Sequence, residues 1–396
     1  MREQFLPFSP PLIGEDEIAE VVDTLRSGWI TTGPKVRRFE REFAHFIGAP
    51  AALAVSSATD AMLVGLAALG LGPDDAVITT TMTFCSTVHV IEHLGARPIL
   101  VDVEPDTLNL DPAKVAESIE KVTKARGAGE AKRLRAIMPV HLYGHPCEMD
   151  ALMGIARQYD LYVLEDAAHG LPARYKEHMV GTIGTLTAFS FYATKNLTTG
   201  EGGMLTGAAD LIEKARIWSL HGMSSDAHKR YTAGGSWYYE VILPGFKCNM
   251  TDIQASLGLH QLHKLPWFQM RRRDIVDRYQ RAFSQFPELE IPKVRSNVEH
   301  AWHLYVLRLN LDMLTIDRAR FIAELKARNI GTSVHFIPVH LHPYYRDKYG
   351  YKPEDFPIAF REYQRIISLP LYPRMSDQDV DDVIEAVGDI LKRFRR

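Results

Sequence analysis

Between residues 51 and 207 short apolar runs alternate with helical patterns, and this alternation leaves few architectures open. The runs near 51 to 55, 76 to 79, 98 to 102, 135 to 140, 161 to 164, 186 to 191 and 203 to 206 have strand length and strand composition, and most gaps between them carry apolar residues at helical spacing. That order predicts an α/β fold with a mostly parallel sheet covered by helices on both faces. In such a sheet ligands bind at the carboxyl ends of the strands. The residues just past each run therefore carry the functional information.

Three of these ends hold reactive groups. The run Leu186 to Tyr192 leads to Lys195 and then to a tight turn marked by Gly200, Gly202 and Gly203. The run Leu161 to Leu164 leads to Glu165, Asp166 and His169, and the short first run leads to Ser56, Ser57, Ala58 and Thr59 before a helix. Taken singly, a lysine in a loop is usually solvated and small hydroxyl residues at a helix start usually cap it. The free N–H groups of a helix start also attract phosphate. An amine, an acid and a phosphate site on neighbouring strand ends are what pyridoxal phosphate requires: a lysine for a Schiff base, a carboxylate opposite the pyridinium nitrogen and a cradle for the phosphate.

Composition removes other classes. A chain of 396 residues is read as two domains, a large one with an N-terminal arm over 1–250, and linking helices with a smaller α/β domain over 251–396. A net charge of −3 gives no general attraction to nucleic acid or to an anionic membrane. Cys85, Cys147 and Cys248 are far apart and odd in number, which fits a reducing cytoplasm and no disulfide framework. The opening MREQFLPFSPPLIGEDE has no continuous apolar core, and no run is long enough to cross a bilayer, so neither export nor a membrane span is expected. Neither GxGxxG after a strand nor GxxxxGK[ST] occurs.

In chain order, a Pro-rich arm reaches residue 14, and a helix over Glu15 to Ser27 places Ile18, Val21, Val22 and Leu25 on one side. Thr31, Thr32, Gly33 and Pro34 form a turn before a helix with a stripe of Phe39, Phe43 and Phe46. Residues 121–133 read as an exposed loop, and 222–248 as an ordered loop or short hairpin. One helix begins at Thr251 and a second spans Trp267 to Phe286. Beyond Pro292 come the strand AWHLYVLRL, a helix from about Asp317 to Arg328 and an amphipathic helix after Ser376.

GWITTGP, SSATDA, TMTFCSTVHVI, LGARPILVDVEPDTLNLDP, VLEDAAHG, FSFYATKNLTTGEGG, GFKCNMTDIQASLGLHQL and SLPLYP resemble, in order, the motifs of the DegT and StrS type of sugar-nucleotide aminotransferases. These are fold type I pyridoxal phosphate enzymes, and the resemblance runs from about residue 7 to the C-terminus. GWITTGP, MTFCST and AWHLYVLRL are most similar to the subgroup acting on UDP-4-amino-4-deoxy-L-arabinose, although Phe84 stands where that subgroup often has tryptophan.

The resemblance implies that Lys195 forms the Schiff base, that Asp166 pairs with the ring nitrogen and that His169 lies near the ring hydroxyl. Phe84 would stack on the ring, and Thr59, the backbone of Asp60, and Ser190 would hold the phosphate. It also implies a homodimer in which Lys247 or Asn249 reaches the partner's phosphate, and substrate contacts from Thr31, Thr32, His335 and His340. His335, His340 and His342 have no companion carboxylate or cysteine pattern, so no metal is expected. The implied reaction passes an amine from glutamate, released as 2-oxoglutarate, to a 4-keto sugar nucleotide. A dehydratase on the same scaffold would carry histidine in place of Lys195. A regulator that only senses the cofactor would need a DNA-binding segment or basic stripe, and neither occurs.

Overall fold

The computed structural model describes residues 2–127, 132–224 and 238–396. Helices α1 (Glu15–Ser27) and α2 (Pro34–Ile47) precede the alternating segment. That segment runs β1 (Ala51–Val55), α3 (Ala58–Ala68), β2 (Asp75–Thr80), α4 (Ser86–His93), β3 (Arg97–Val101), α5 (Pro112–Gly127), β4 (Arg133–Met138) and α6 (Met149–Gln158). It continues with β5 (Tyr162–Asp166), the short β6 (Arg174–Tyr175) and β7 (His178–Met179), β8 (Leu186–Ser190), β9 (Gly203–Gly207) and α7 (Ala209–Ser219). After the long α8 (Asp252–Phe283) come β10 (Leu289–Glu290), β11 (Val298–Glu299), β12 (Tyr305–Leu309) and α9 (Arg318–Ala327). Helices α10 (Pro343–Tyr349) and α11 (Pro357–Tyr363), strand β13 (Ile366–Leu369) and α12 (Asp377–Phe394) complete the chain.

The main sheet has seven strands in the order β1-β9-β8-β5-β4-β2-β3. Pairings among β3, β2, β4, β5 and β8 are parallel, and β9 runs antiparallel to both β8 and β1. The sheet is thus mostly parallel, as its alternation with helices predicts. Each strand is buried on two faces because successive side chains point opposite ways. Val77, Met138 and Leu164 meet Met62, Leu66 and Ile91 of α3 and α4, whereas Ile78, Ile137 and Val163 meet Val115, Leu152 and Ala156 of α5 and α6. Near β8 the second face is closed by Phe39 and Phe43 of α2, packed on Phe189 and Phe191 at ring separations of 5.2 to 5.5 Å.

A second sheet, β10-β12-β13, is antiparallel and packs with α8, α9 and α12 around Tyr279, Phe283, Tyr305 and Phe321. Leu6 of the N-terminal arm belongs to that core and bridges Ile330.

Three expectations change. The helices expected at Thr251 and at Trp267 to Phe286 are one helix of 32 residues with Pro266 inside it. A proline there removes one hydrogen bond to the preceding turn. The continuous buried row Leu259, Leu262, Leu265, Phe268 and Arg272 holds both sides to one axis, and the capping box of Thr251 and Gln254 fixes the start. Helix α1 also turns its other face inward. Glu17 and Thr24 are fully buried against α8, while Ile18 and Leu25 are about half exposed at 48% and 54%. The Glu17 carboxylate accepts from Gln261 Nε2 at 2.8 Å, Lys264 Nζ at 2.7 Å and Gly14 N at 2.9 Å. Burial by itself would raise its pKa, but these three donors outweigh it and hold the group below its usual range.

Elsewhere α5 extends through most of the segment read as a loop, and 128–131 lie outside the described residues. The flanks of the expected hairpin pair antiparallel, Met223 with Val241 and Leu220 with Lys247, and its centre, 225–237, lies outside the described residues.

Candidate active site

Five parallel strand ends open on one cavity of about 530 Å³, a volume suited to a small-molecule ligand. Strand β5 delivers Asp166 and His169, β8 delivers Ser190 and Lys195, β1 leads to Thr59, and β2 leads to Phe84; all six line the cavity. Val140, just past β4, lines it as well.

Asp166 is 3% exposed, and its carboxylate accepts from Thr87 Oγ1 at 2.8 Å and from the Ala168 N–H at 3.0 Å. Burial pushes its pKa up, against those donors and the charge of Lys195. This is a carboxylate short of a positive partner. Glu165, its neighbour in sequence, faces the other side of β5 and accepts from His141 Nε2 at 2.8 Å, Gly184 N at 2.7 Å and Thr187 Oγ1 at 2.8 Å. Alternation along the strand separates the two acids, and only Asp166 reaches the cavity.

Lys195 sits in a turn closed by its own N–H to Tyr192 O at 2.9 Å. Its Nζ forms neither a hydrogen bond nor an ion pair among the described residues. Burial lowers its pKa to about 8, with Asp166 pulling the other way. His169 accepts from the Tyr143 N–H at Nδ1, 3.2 Å away, and stacks on Phe336. Burial, helped by the charges of Lys195 and His335, holds its pKa well below the ordinary value.

At the start of α3 the Ser57 hydroxyl accepts from the Asp60 N–H at 3.0 Å, so the Asp60 amide is used by the cap. The amides of Ala58 and Thr59 have no acceptor within the helix. The Asp60 carboxylate is turned back onto Ser56 Oγ at 2.5 Å and Ser57 Oγ at 2.8 Å. Gly203 makes this close fit of helix and sheet possible: a Cβ there would lie 2.4 Å from the Ser57 carbonyl carbon and 2.6 Å from Ala58 N. Ser190, at the end of β8, accepts from Tyr192 N at 3.3 Å.

The other expected site residues divide. His335 lines the cavity, stacked on Phe8 at 5.5 Å, with Nδ1 2.8 Å from Ser368 Oγ. Phe84 is 58% exposed at its edge, tilted against Phe336. His340 does not line the cavity; it is fully buried, with Nδ1 2.7 Å from Thr81 Oγ1 and its ring against Phe356. Thr31 and Thr32 also lie off the cavity wall, and Thr32 Oγ1 donates to Met250 O at 2.5 Å and accepts from Asn249 Nδ2 at 2.6 Å. Lys247 Nζ donates to Asn249 Oδ1, and neither residue lines the cavity of its own chain. Their segment is nonetheless close by, since Asn249 bridges Val55 and the Ser56 N–H donates to Cys248 O at 2.8 Å. Among the described residues no group of three or more His, Cys, Asp or Glu is arranged to hold a metal ion.

His303 and Phe336, which line the cavity, and Thr87, which donates to Asp166, are among the positions that the sequence reading left unassigned. His303 lies in AWHLYVLRL, two residues before β12, where an apolar stretch is broken by a single histidine.

The chain matches the DegT/DnrJ/EryC1/StrS aminotransferase family over residues 11–388. It is 54% identical over 393 residues to the spore coat polysaccharide biosynthesis protein SpsC of Bacillus subtilis (strain 168), covering 99% of this chain and 98% of that protein. Among solved structures it is similar to Spr1654 of Streptococcus pneumoniae, assigned as a sugar aminotransferase, in its PMP form, with a TM-score of 0.90 and 36% identity over 98% of this chain and 99% of that one. It is also similar to Helicobacter pylori PseC, an aminotransferase involved in the biosynthesis of pseudoaminic acid, with a TM-score of 0.88 and 25% identity over 99% and 100% of the two chains. Family match and fold lead to one conclusion: the chain belongs to the DegT/DnrJ/EryC1/StrS family of pyridoxal phosphate-dependent sugar aminotransferases.

Proposed function

We propose that the protein passes an amino group from glutamate to a 4-keto sugar linked to a nucleotide, in a site shared by two subunits. The observation that carries the reading is the meeting of an unpaired Lys195 amine, the under-paired Asp166 carboxylate and the start of α3 in one cavity. The relatives support the sugar half, through polysaccharide biosynthesis in SpsC and pseudoaminic acid biosynthesis in PseC. Glutamate as donor follows from the resemblance in the motifs.

The residues fit pyridoxal phosphate. Asp166 lacks a cationic hydrogen-bond donor, which a protonated ring nitrogen provides, and the Ala58 and Thr59 amides with Ser190 make a neutral phosphate cradle. When bound, the cofactor supplies an aldehyde that exchanges amines and a ring that draws electrons from the carbon next to the amine. With the cofactor bound, Asp166 would keep the ring nitrogen protonated, and His169 would donate its Nε2–H to the ring hydroxyl oxygen. Lys195 Nζ, neutral above a pKa of about 8, would take the proton from the carbon bearing the amine and deliver it to the carbon of the cofactor across the C–N bond, so that the amine stays with the cofactor. Thr83 and Leu304, both buried, line the same cavity.

The test runs the half-reaction backwards. Protein in the pyridoxal form is offered UDP-, dTDP- and GDP-linked 4-amino sugars, and conversion to the amine form is followed by absorbance. Glutamate and glutamine are offered separately. One sugar nucleotide and glutamate are expected to convert the protein. Conversion by simple amino acids with none by any amino sugar nucleotide would replace the sugar reading.

The shared site rests on the surface around Lys247 and Asn249. Thr32 and the Trp29 indole belong to the same network, and Trp29, Ile30, Val241 and Ile242 are 42% to 60% exposed, an apolar rim that a two-fold partner would cover. Mixing Lys195→Ala with a Lys247→Ala, Asn249→Ala double variant should then restore about half of normal activity per mixed dimer, since one of its two sites regains both intact parts. Proven subunit exchange with no recovery would sink the shared site.

A further inference from the structure

Two imidazoles on the cavity wall have tautomers set by backbone groups that can play only one role. The Tyr143 N–H is a donor, so His169 Nδ1 is the bare nitrogen and Nε2 carries the proton. At His303 the logic inverts. The carbonyls of Leu171 and Ala301 are acceptors, and they take the two protons of the Asn196 amide at 2.9 and 2.8 Å. Asn196 Oδ1 therefore faces His303 Nδ1, 3.2 Å away, and an oxygen with no proton requires Nδ1–H there. His303 Nε2 is a lone-pair acceptor. The two rings lie 4.4 Å apart between centroids, so the wall presents a donor beside an acceptor.

His303 is 4% exposed and lines the cavity. Its Nε2 has no partner among the described residues, and it is not sealed from the cavity as the partnerless His340 Nε2 is sealed in the core. Burial first, then the positive charges of Lys195 and Arg272, keep the ring from taking a proton. A ring that resists protonation is a poor sink for an ammonium proton. It remains a good acceptor from a neutral donor, and the neutral donor on a sugar is a hydroxyl.

We propose that His303 Nε2 accepts a hydrogen bond from one hydroxyl group of the sugar substrate and selects for that hydroxyl. This rests on the sugar-nucleotide reading above. A site built to pair a hydroxyl discriminates sharply against its absence, because the buried polar group is then left unpaired.

The test uses His303→Phe, which keeps a ring without an acceptor, and His303→Gln, which restores an acceptor oxygen. The probe is the 4-amino sugar nucleotide that the wild type accepts best. For His303→Phe, kcat/KM of the sugar half-reaction should fall about 10- to 100-fold and the Kd of the same compound for cofactor-free protein should rise about 10-fold, with the glutamate half-reaction within about threefold of normal. His303→Gln should recover part of the loss. On wild type, removing one particular sugar hydroxyl should reproduce the loss, and on His303→Phe the same deletion should add nothing. Equal losses in both half-reactions, an unchanged Kd, or full additivity of every deoxy analogue would overturn the assignment while the sugar-nucleotide reading stood. If wild type takes an amine from no amino sugar nucleotide, that reading falls and His303 falls with it.

Discussion

Lys195→Ala is expected to abolish transamination and leave the fold intact. The amine has no hydrogen bond or ion pair among the described residues, so its removal leaves no partner stranded. Burial lowers its pKa to about 8, which means that the folded protein disfavours the ammonium, and alanine relieves that cost. Stability should stay within about 1 kcal/mol of wild type. Activity should fall by about 100- to 10,000-fold or more, because in the proposed mechanism one amine both links to the cofactor and moves the proton. The sign of the pH effect follows from the same group. Below a pKa of about 8 the free amine is protonated and cannot act as a base, so wild-type proton transfer should rise as pH passes upward through that value. Borohydride reduction provides the second readout. It should fix the cofactor to wild type and not to the variant; fixation of the variant at full yield would assign the linkage to another lysine.

The parts of this arrangement that were legible in the sequence are those set by local pattern. Strand ends at Asp166 and Lys195 follow from runs of five residues, each bounded by residues that break the run, and the N-cap at Ser57 follows from small hydroxyls before an apolar helix.

What was not legible depends on partners far along the chain. The inward face of α1 is polar because Gln261 and Lys264 of α8 meet Glu17, and no periodicity within α1 records that. His335 and His340 lie five residues apart in one segment; one faces the cavity and the other the core, decided by a short turn at Val339–Leu341. The acceptor role of His303 rests on Asn196, 107 residues earlier. The Asp60 amide is occupied by the very cap that the sequence predicts, which leaves the amides of Ala58 and Thr59 as the free donors of that turn.

Asp166→Asn is expected to lower activity at least about 100-fold with the cofactor lysine still reactive. The substitution keeps the shape of the side chain, and the amide oxygen can still accept from the Ala168 N–H now bonded at 3.0 Å. Thr87 Oγ1 can turn to accept from the new amide, since it already lies within reach of the Phe84 carbonyl at 3.1 Å and the Thr83 hydroxyl at 2.7 Å. Burial raises the pKa of the native carboxylate, so a neutral isostere costs the fold little. The chemistry loses more. An amide cannot hold the ring nitrogen in its protonated form, and a charge-assisted hydrogen bond is roughly twice as strong as a neutral one. Asp166 is also the charge that opposes burial at Lys195, so its loss should drop the lysine pKa further below about 8 and move the rising limb of the pH profile to lower pH. The two readouts separate this residue from Lys195: borohydride should fix the cofactor in Asp166→Asn but not in Lys195→Ala. Turnover near the wild-type value, with the pH profile unmoved, would remove Asp166 from both roles.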